Sequence, residues 1–152
     1  IFNIGISDKE TILNLKINKH EITSTFSNFK NTSKYLHLKA ILFGSSLKNM
    51  NQSEESVKVF QLDKILKDKN FQHLDLVKID TEGHEYEVLC GAINYLKKIK
   101  YILIEFHIDE IYENYDSEKI HNFLLKNNFS LLNTFKFPFT TWQDRLYKNS
   151  KF

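Results

Sequence analysis

Apolar and polar residues alternate with a period of two along TILNLKI, from Thr11 to Ile17, which predicts a strand, and Ile1 to Ile6 ahead of it reads as another. The SDKE turn between them predicts a hairpin. Polar residues without a period dominate Asn18 to Lys34, a surface loop. Tyr35 to Phe43 fits a strand, with a short helix close behind, and Gly44 to Glu55 is again polar loop. Val57 to Gln61 is a short strand running into LDKILKDK, where Leu62, Ile65 and Leu66 form one helical stripe.

Leu76 to Ile79 lacks the alternation of a half-buried strand, which predicts a central parallel strand covered on both faces. After Gly83, Tyr86, Leu89, Ile93 and Leu96 recur at helical spacing, and Lys97, Lys98 and Lys100 follow where cations suit a helix carboxyl end. This predicts an amphipathic helix of about three turns. Tyr101 to Phe106 is the next strand, and the resulting βαβ unit brings both strand ends to one edge. Asp116 or Ser117 caps a helix carrying Ile120, Phe123 and Leu124, which stops at Asn127 and Asn128. Phe129 to Phe135 is a strand, Pro138 sits in a turn, and a last strand around Arg145 to Tyr147 pairs antiparallel with it.

The alternation of strands and helices predicts one α/β domain over residues 1–152. Lys+Arg number 21 against 19 Asp+Glu, and Arg145 is the sole arginine. The lysines are spread among acids and form no basic block, so no nucleic-acid partner is expected. Cys90, the single cysteine, excludes an internal disulfide and fits a reducing compartment such as the cytoplasm; as a small residue within a helix it is expected to be buried. No run approaches the roughly 20 apolar residues of a membrane span, so no membrane partner is expected either.

The candidate chemistry lies where the strands break into acids. Asp80 has two readings: a cap that accepts a backbone N–H of the following helix, or a carboxylate facing the crevice where α/β sheets bind ligands. Glu82 strengthens the second, since Gly83 after it permits a tight turn or close ligand approach and two neighbouring acids repel unless one holds a proton or a cation is near. Glu85 is read as complementing the helix dipole, and His84 as solvated surface. His107 follows the strand bearing Glu105 and is the second candidate for a proton acceptor, beside the reading of a satisfied edge histidine. Asp80, Glu82, Glu105 and His107 also contain the donors of an oxygen-and-imidazole metal set, but their spacing is not diagnostic and no metal is expected.

The segment LVKIDTEGHEYEVLCGA, preceded by VKVFQLDKIL and followed by YILIEFH, resembles the FkbM methyltransferase family, from Ile1 to about Phe135. The resemblance implies a Rossmann-like, class I methyltransferase that uses S-adenosylmethionine, with a hydroxyl of a sugar or secondary metabolite as acceptor and hence a small-molecule or glycan partner. It implies that Ser7 and Asp8 lie near the donor's adenine, that Asp80 faces both donor and acceptor, and that Asp80, Glu82, Glu105 and His107 are the candidates for catalysis. One departure stands out. Such a fold holds its donor on a glycine-rich turn after the first strand, yet the glycines here are only Gly5, Gly44, Gly83 and Gly91, and none is followed closely by another. The chain is therefore expected to match the carboxyl-terminal part of the domain, with the first two strands and their helices upstream and a sheet edge open to association. A non-catalytic glycan- or protein-binding remnant and a metal-dependent hydrolase are the alternatives.

Overall fold

The computed structural model describes residues 2–18, 24–30, 51–108, 111–138 and 140–152, and these form two sheets and three α-helices. The expected element over Tyr35 to Phe43, and most of the two polar loops around it, lie outside the described residues.

The first sheet contains β1 (Gly5–Ile6), β2 (Thr11–Asn18) and β3 (Asn51–Phe60) in the order β1-β3-β2. The expected hairpin of the first two strands does not form. β2 runs antiparallel to β3 from Thr11↔Val59 to Ile17↔Ser53, while β1 lies parallel on the other side of β3. An eight-residue ladder satisfies far more backbone groups than pairing with two-residue β1 offers. The stretch Asn51 to Glu55, expected as loop, is strand for the same reason. Glu54 and Glu55 are exposed, so the ladder and the cross-strand Lys16–Glu54 pairing, rather than burial, support it.

The second sheet holds β4 (Leu74–Ile79), β5 (Ile99–His107), β6 (Phe129–Lys136) and β7 (Trp142–Asn149) in the order β4-β5-β7-β6. β4 and β5 are parallel, as the βαβ reading requires, and β7 inserts antiparallel between β5 and β6. β7 is longer than the segment around Arg145 to Tyr147. Among the described residues β4 stands at the edge of the sheet and not at its centre: Leu76 is 55% exposed and Ile79 is the one buried residue of the strand.

Three helices connect these strands: α1 (Leu62–Asp68), α2 (Glu85–Cys90) and α3 (Ser117–Lys126). α3 is capped as expected, with the Asp116 carboxylate accepting from Lys119 N at 2.9 Å, and Asn128 past its end takes φ +66°. α2 is shorter than the three turns that the apolar spacing predicts. After it the backbone turns to α1: Asp63 N donates to Gly91 O, and the Asp63 carboxylate accepts from Asn94 N and Tyr95 N. Bonds to a neighbouring helix thus replace the i→i−4 bonds that would have continued α2. Cys90, at its end, is free and half-buried.

The core lies on one face of the second sheet, where Ile102, Ile104 and Phe106 of β5 meet Val88 and Leu89 of α2 and Ile120 and Leu124 of α3. The fully buried Asn149 closes it by donating both amide hydrogens, to Leu96 O and Ile99 O at 3.0 Å each. Among the described residues no helix is long and apolar enough to cross a membrane.

Candidate active site

The parallel register Ile79↔Ile104 places the residues after β4 beside the last residues of β5. Because side chains alternate along a strand, the two-residue spacing of Glu105 and His107 sends both to the face opposite Ile104 and Phe106. Glu82 reaches the same place from the turn after β4. His107 Nε2 lies 3.6 Å from Glu105 Oε1 and 3.8 Å from Glu82 Oε2, and one ligand atom from each of the three residues falls within 4.8 Å of the others.

The turn itself is fixed from several sides. Glu85 is fully buried, and its Oε1 accepts hydrogen bonds from Thr81 N, Thr81 Oγ1 and Gly83 N, each at 3.1 Å. It therefore holds the turn together, a larger role than complementing the helix dipole. Thr25 Oγ1 donates to Glu82 O at 2.5 Å and Ser27 Oγ to Gly83 O at 2.8 Å. Gly83 has φ +92°, and a Cβ there would stand 2.6 Å from the Tyr112 ring, so both conformation and space call for glycine. Glu82 has φ +52°; the other described non-glycine residues with positive φ are asparagines, which tolerate it better.

Two tyrosines complete the enclosure. Tyr112 donates its hydroxyl to Glu82 Oε2 at 2.5 Å and sets its ring edge-on to His107, and the Tyr115 hydroxyl accepts from His107 N at 3.1 Å. Sequence reasoning missed both. The available signal was the Tyr-x-x-Tyr spacing just past β5, which has many structural uses.

Asp80 stands next to this cluster but differs from it: it is exposed, and its Oδ2 accepts from Lys78 Nζ at 2.7 Å. Ser7 and Asp8 are not part of the cluster. Ser7 is buried at the end of β1, with its hydroxyl on Asp8 Oδ1 at 3.2 Å and hydrogen-bonded to His84 Nε2 at 3.0 Å. His84 is consequently not solvated surface. It is half-buried between Ser7 and the Phe26 ring, and this burial lowers its pKa. A cavity of about 220 Å³ adjoins the turn, bordered by Phe26, Gly83, His84, Tyr115 and Lys119.

Burial, reinforced by the charges of Asp80, Glu82 and Asp144, pushes Glu105 up to about 7. Burial pulls His107 down to about 4, against the opposing pull of Asp80. Glu105 thus binds protons more tightly in the folded state, and its contribution to stability is lost as pH rises from its ordinary 4.5 through about 7. His107 binds them less tightly, and its contribution is lost as pH falls from 6.5 through about 4. The two slopes oppose each other over most of that range. In buffer containing EDTA, Glu105→Gln is expected to remove the falling slope, so that its Tm rises relative to the parent between about pH 4.5 and 7. A Tm difference that stays constant with pH would show that Glu105 titrates normally.

Residues 1–131 match the model of the family described as the methyltransferase FkbM domain. The chain is also similar to hexuronic acid methyltransferase AglP of Haloferax volcanii, 33% identical over 52 residues, which are 34% of this chain and 22% of that protein. No solved structure matches it.

Proposed function

The chain belongs to the FkbM methyltransferase domain family, and on that premise we propose that the acidic ends of β4 and β5 form the acceptor side of an S-adenosylmethionine-dependent methyl-transfer site in a Rossmann-like α/β domain. The proposed acceptor is a hydroxyl of a sugar or secondary metabolite. The name of the Haloferax relative favours a sugar acid among these.

S-adenosylmethionine would supply the methyl group as an electrophile. Ser7 and Asp8, the proposed contacts to its adenine, stand at the end of β1, where the Ser7 hydroxyl is buried and engaged by Asp8 and His84 and Asp8 is exposed. At about 220 Å³ the cavity beside the turn falls below the roughly 300–1,000 Å³ usual for a small-molecule site.

On the acceptor side, the reading is carried by a contrast in accessibility. A general base must come within hydrogen-bond reach of the hydroxyl it deprotonates. The side chain of Asp80 is 38% exposed, against 19% for Glu82, 14% for Glu105 and 3% for His107. Asp80 is accordingly the proposed base, with its carboxylate oriented by the Lys78 ammonium. Glu82, Glu105 and His107 form the wall behind it.

The test uses the full-length product of the gene, with donor binding followed by calorimetry and methyl transfer followed from labelled donor to a hexuronic acid or glycan. Asp80→Asn should lower the transfer rate by about 10²-fold or more while leaving donor binding in place. An undiminished rate would remove Asp80 from the role. Failure of the full-length protein to bind the donor would defeat the methyl-transfer reading as a whole.

A further inference from the structure

We propose that Glu82, Glu105 and His107 bind a divalent first-row transition-metal ion such as Zn²⁺ or Mn²⁺. The proposal rests on geometry and does not depend on methyl transfer.

The first observation is convergence. Residues from two separate segments, the turn after β4 and the end of β5, bring two carboxylates and one imidazole to a single point with ligand atoms within 4.8 Å. An ion with bonds of about 2.1 Å holds its ligand atoms roughly 3.0–3.5 Å apart. The two separations from His107 Nε2, 3.6 and 3.8 Å, require only a few tenths of an ångström of inward movement, while the two carboxylates, within 4.8 Å of each other, would have to close by up to about 1.5 Å through side-chain rotation. Carboxylate and imidazole donors together suit zinc, manganese and iron, whereas magnesium prefers oxygen alone.

The second observation is His107 itself. Its side chain is 3% exposed, yet neither ring nitrogen has a hydrogen-bond partner among the described residues. Buried polar atoms are nearly always satisfied, and leaving one unmet costs about 1–3 kcal/mol. Nε2 points between two carboxylate oxygens, which is where an ion would meet it.

The surroundings are arranged as a second coordination layer would be. The Tyr112 hydroxyl fixes Glu82 Oε2, and Glu82 keeps its left-handed backbone conformation in a turn that Glu85, Thr25 and Ser27 all hold. Asp80 and Asp144 add negative potential nearby.

The experiment titrates Zn²⁺ and Mn²⁺ separately into the 152-residue chain after EDTA treatment, by isothermal calorimetry, and records Tm with and without the ion. One ion per chain and a raised Tm are expected. Glu105→Gln and Glu82→Gln, which keep side-chain size, should each weaken binding at least tenfold, and His107→Gln should do the same if circular dichroism shows it folded. Addition of Co²⁺ to the parent chain should give a d–d absorption spectrum that shows nitrogen coordination, a readout independent of any variant. Absence of binding, binding that the Glu variants leave unchanged, or a Co²⁺ spectrum of oxygen ligands alone would overturn the proposal. None of these outcomes bears on whether the full-length protein transfers methyl groups, since neither donor nor acceptor is present.

Discussion

Gly83→Ala should destabilise the chain by about 2–5 kcal/mol, a large loss for the addition of a single methyl group. Two costs add. A side chain at φ +92° enters the left-handed region at about 1–2 kcal/mol. The new Cβ also stands 2.6 Å from Cγ and 2.7 Å from Cδ2 of Tyr112, and overpacking of this kind costs about 1–3 kcal/mol. The ring cannot simply step aside, because its hydroxyl is bonded to Glu82 and its face lies against Phe29. Urea denaturation measures the loss, and near-ultraviolet circular dichroism should show a changed tyrosine environment. A loss under about 1 kcal/mol would mean that Tyr112 relaxes freely.

Glu85→Ala should cost about 3 kcal/mol, through a different route. Its Oε1 takes three hydrogen bonds in a fully buried position, and removing it strands the N–H groups of Thr81 and Gly83 together with the Thr81 hydroxyl. Glu85→Gln separates this acceptor role from charge. The glutamine oxygen can accept the same three bonds, and its amide takes the place of Oε2, which has no partner among the described residues. The glutamine variant should therefore stay within about 1 kcal/mol of the parent. If both variants lose the same stability, the negative charge and not the acceptor geometry holds the turn.

These two residues also show which parts of the site could be read from the sequence. Asp80, Glu82, Glu105 and His107 stand at strand ends, and strand ends follow from the apolar runs LVKI and YILIEF. The parallel register of β4 and β5 then brings them to one edge, as the βαβ reading expected. The interior role of Glu85 was not readable. A glutamate in a first helical turn has the same local sequence whether it faces water or folds back to bind Thr81 and Gly83. His84 was misplaced for a similar reason, since Ser7 lies 77 residues away in sequence. The first hairpin failed because β3 competes for the same edges, a long-range choice that local periodicity does not encode. α2 ended early because Asp63 captures the backbone beyond it.

The insertion of β7 between β5 and β6 has a kinetic consequence. β5 carries Glu105 and His107, and one of its two neighbours, β4, precedes it in the chain, whereas the other, β7, follows only after α3 and β6. During synthesis β5 can pair on one side as soon as it emerges, but β6 has no place in the sheet until β7 arrives to bridge the gap. The wall of the candidate site therefore matures late. A chain extended past His107 but not yet to Trp142 contains every acid and histidine of the cluster, yet lacks the strand that pairs with β5 beside them.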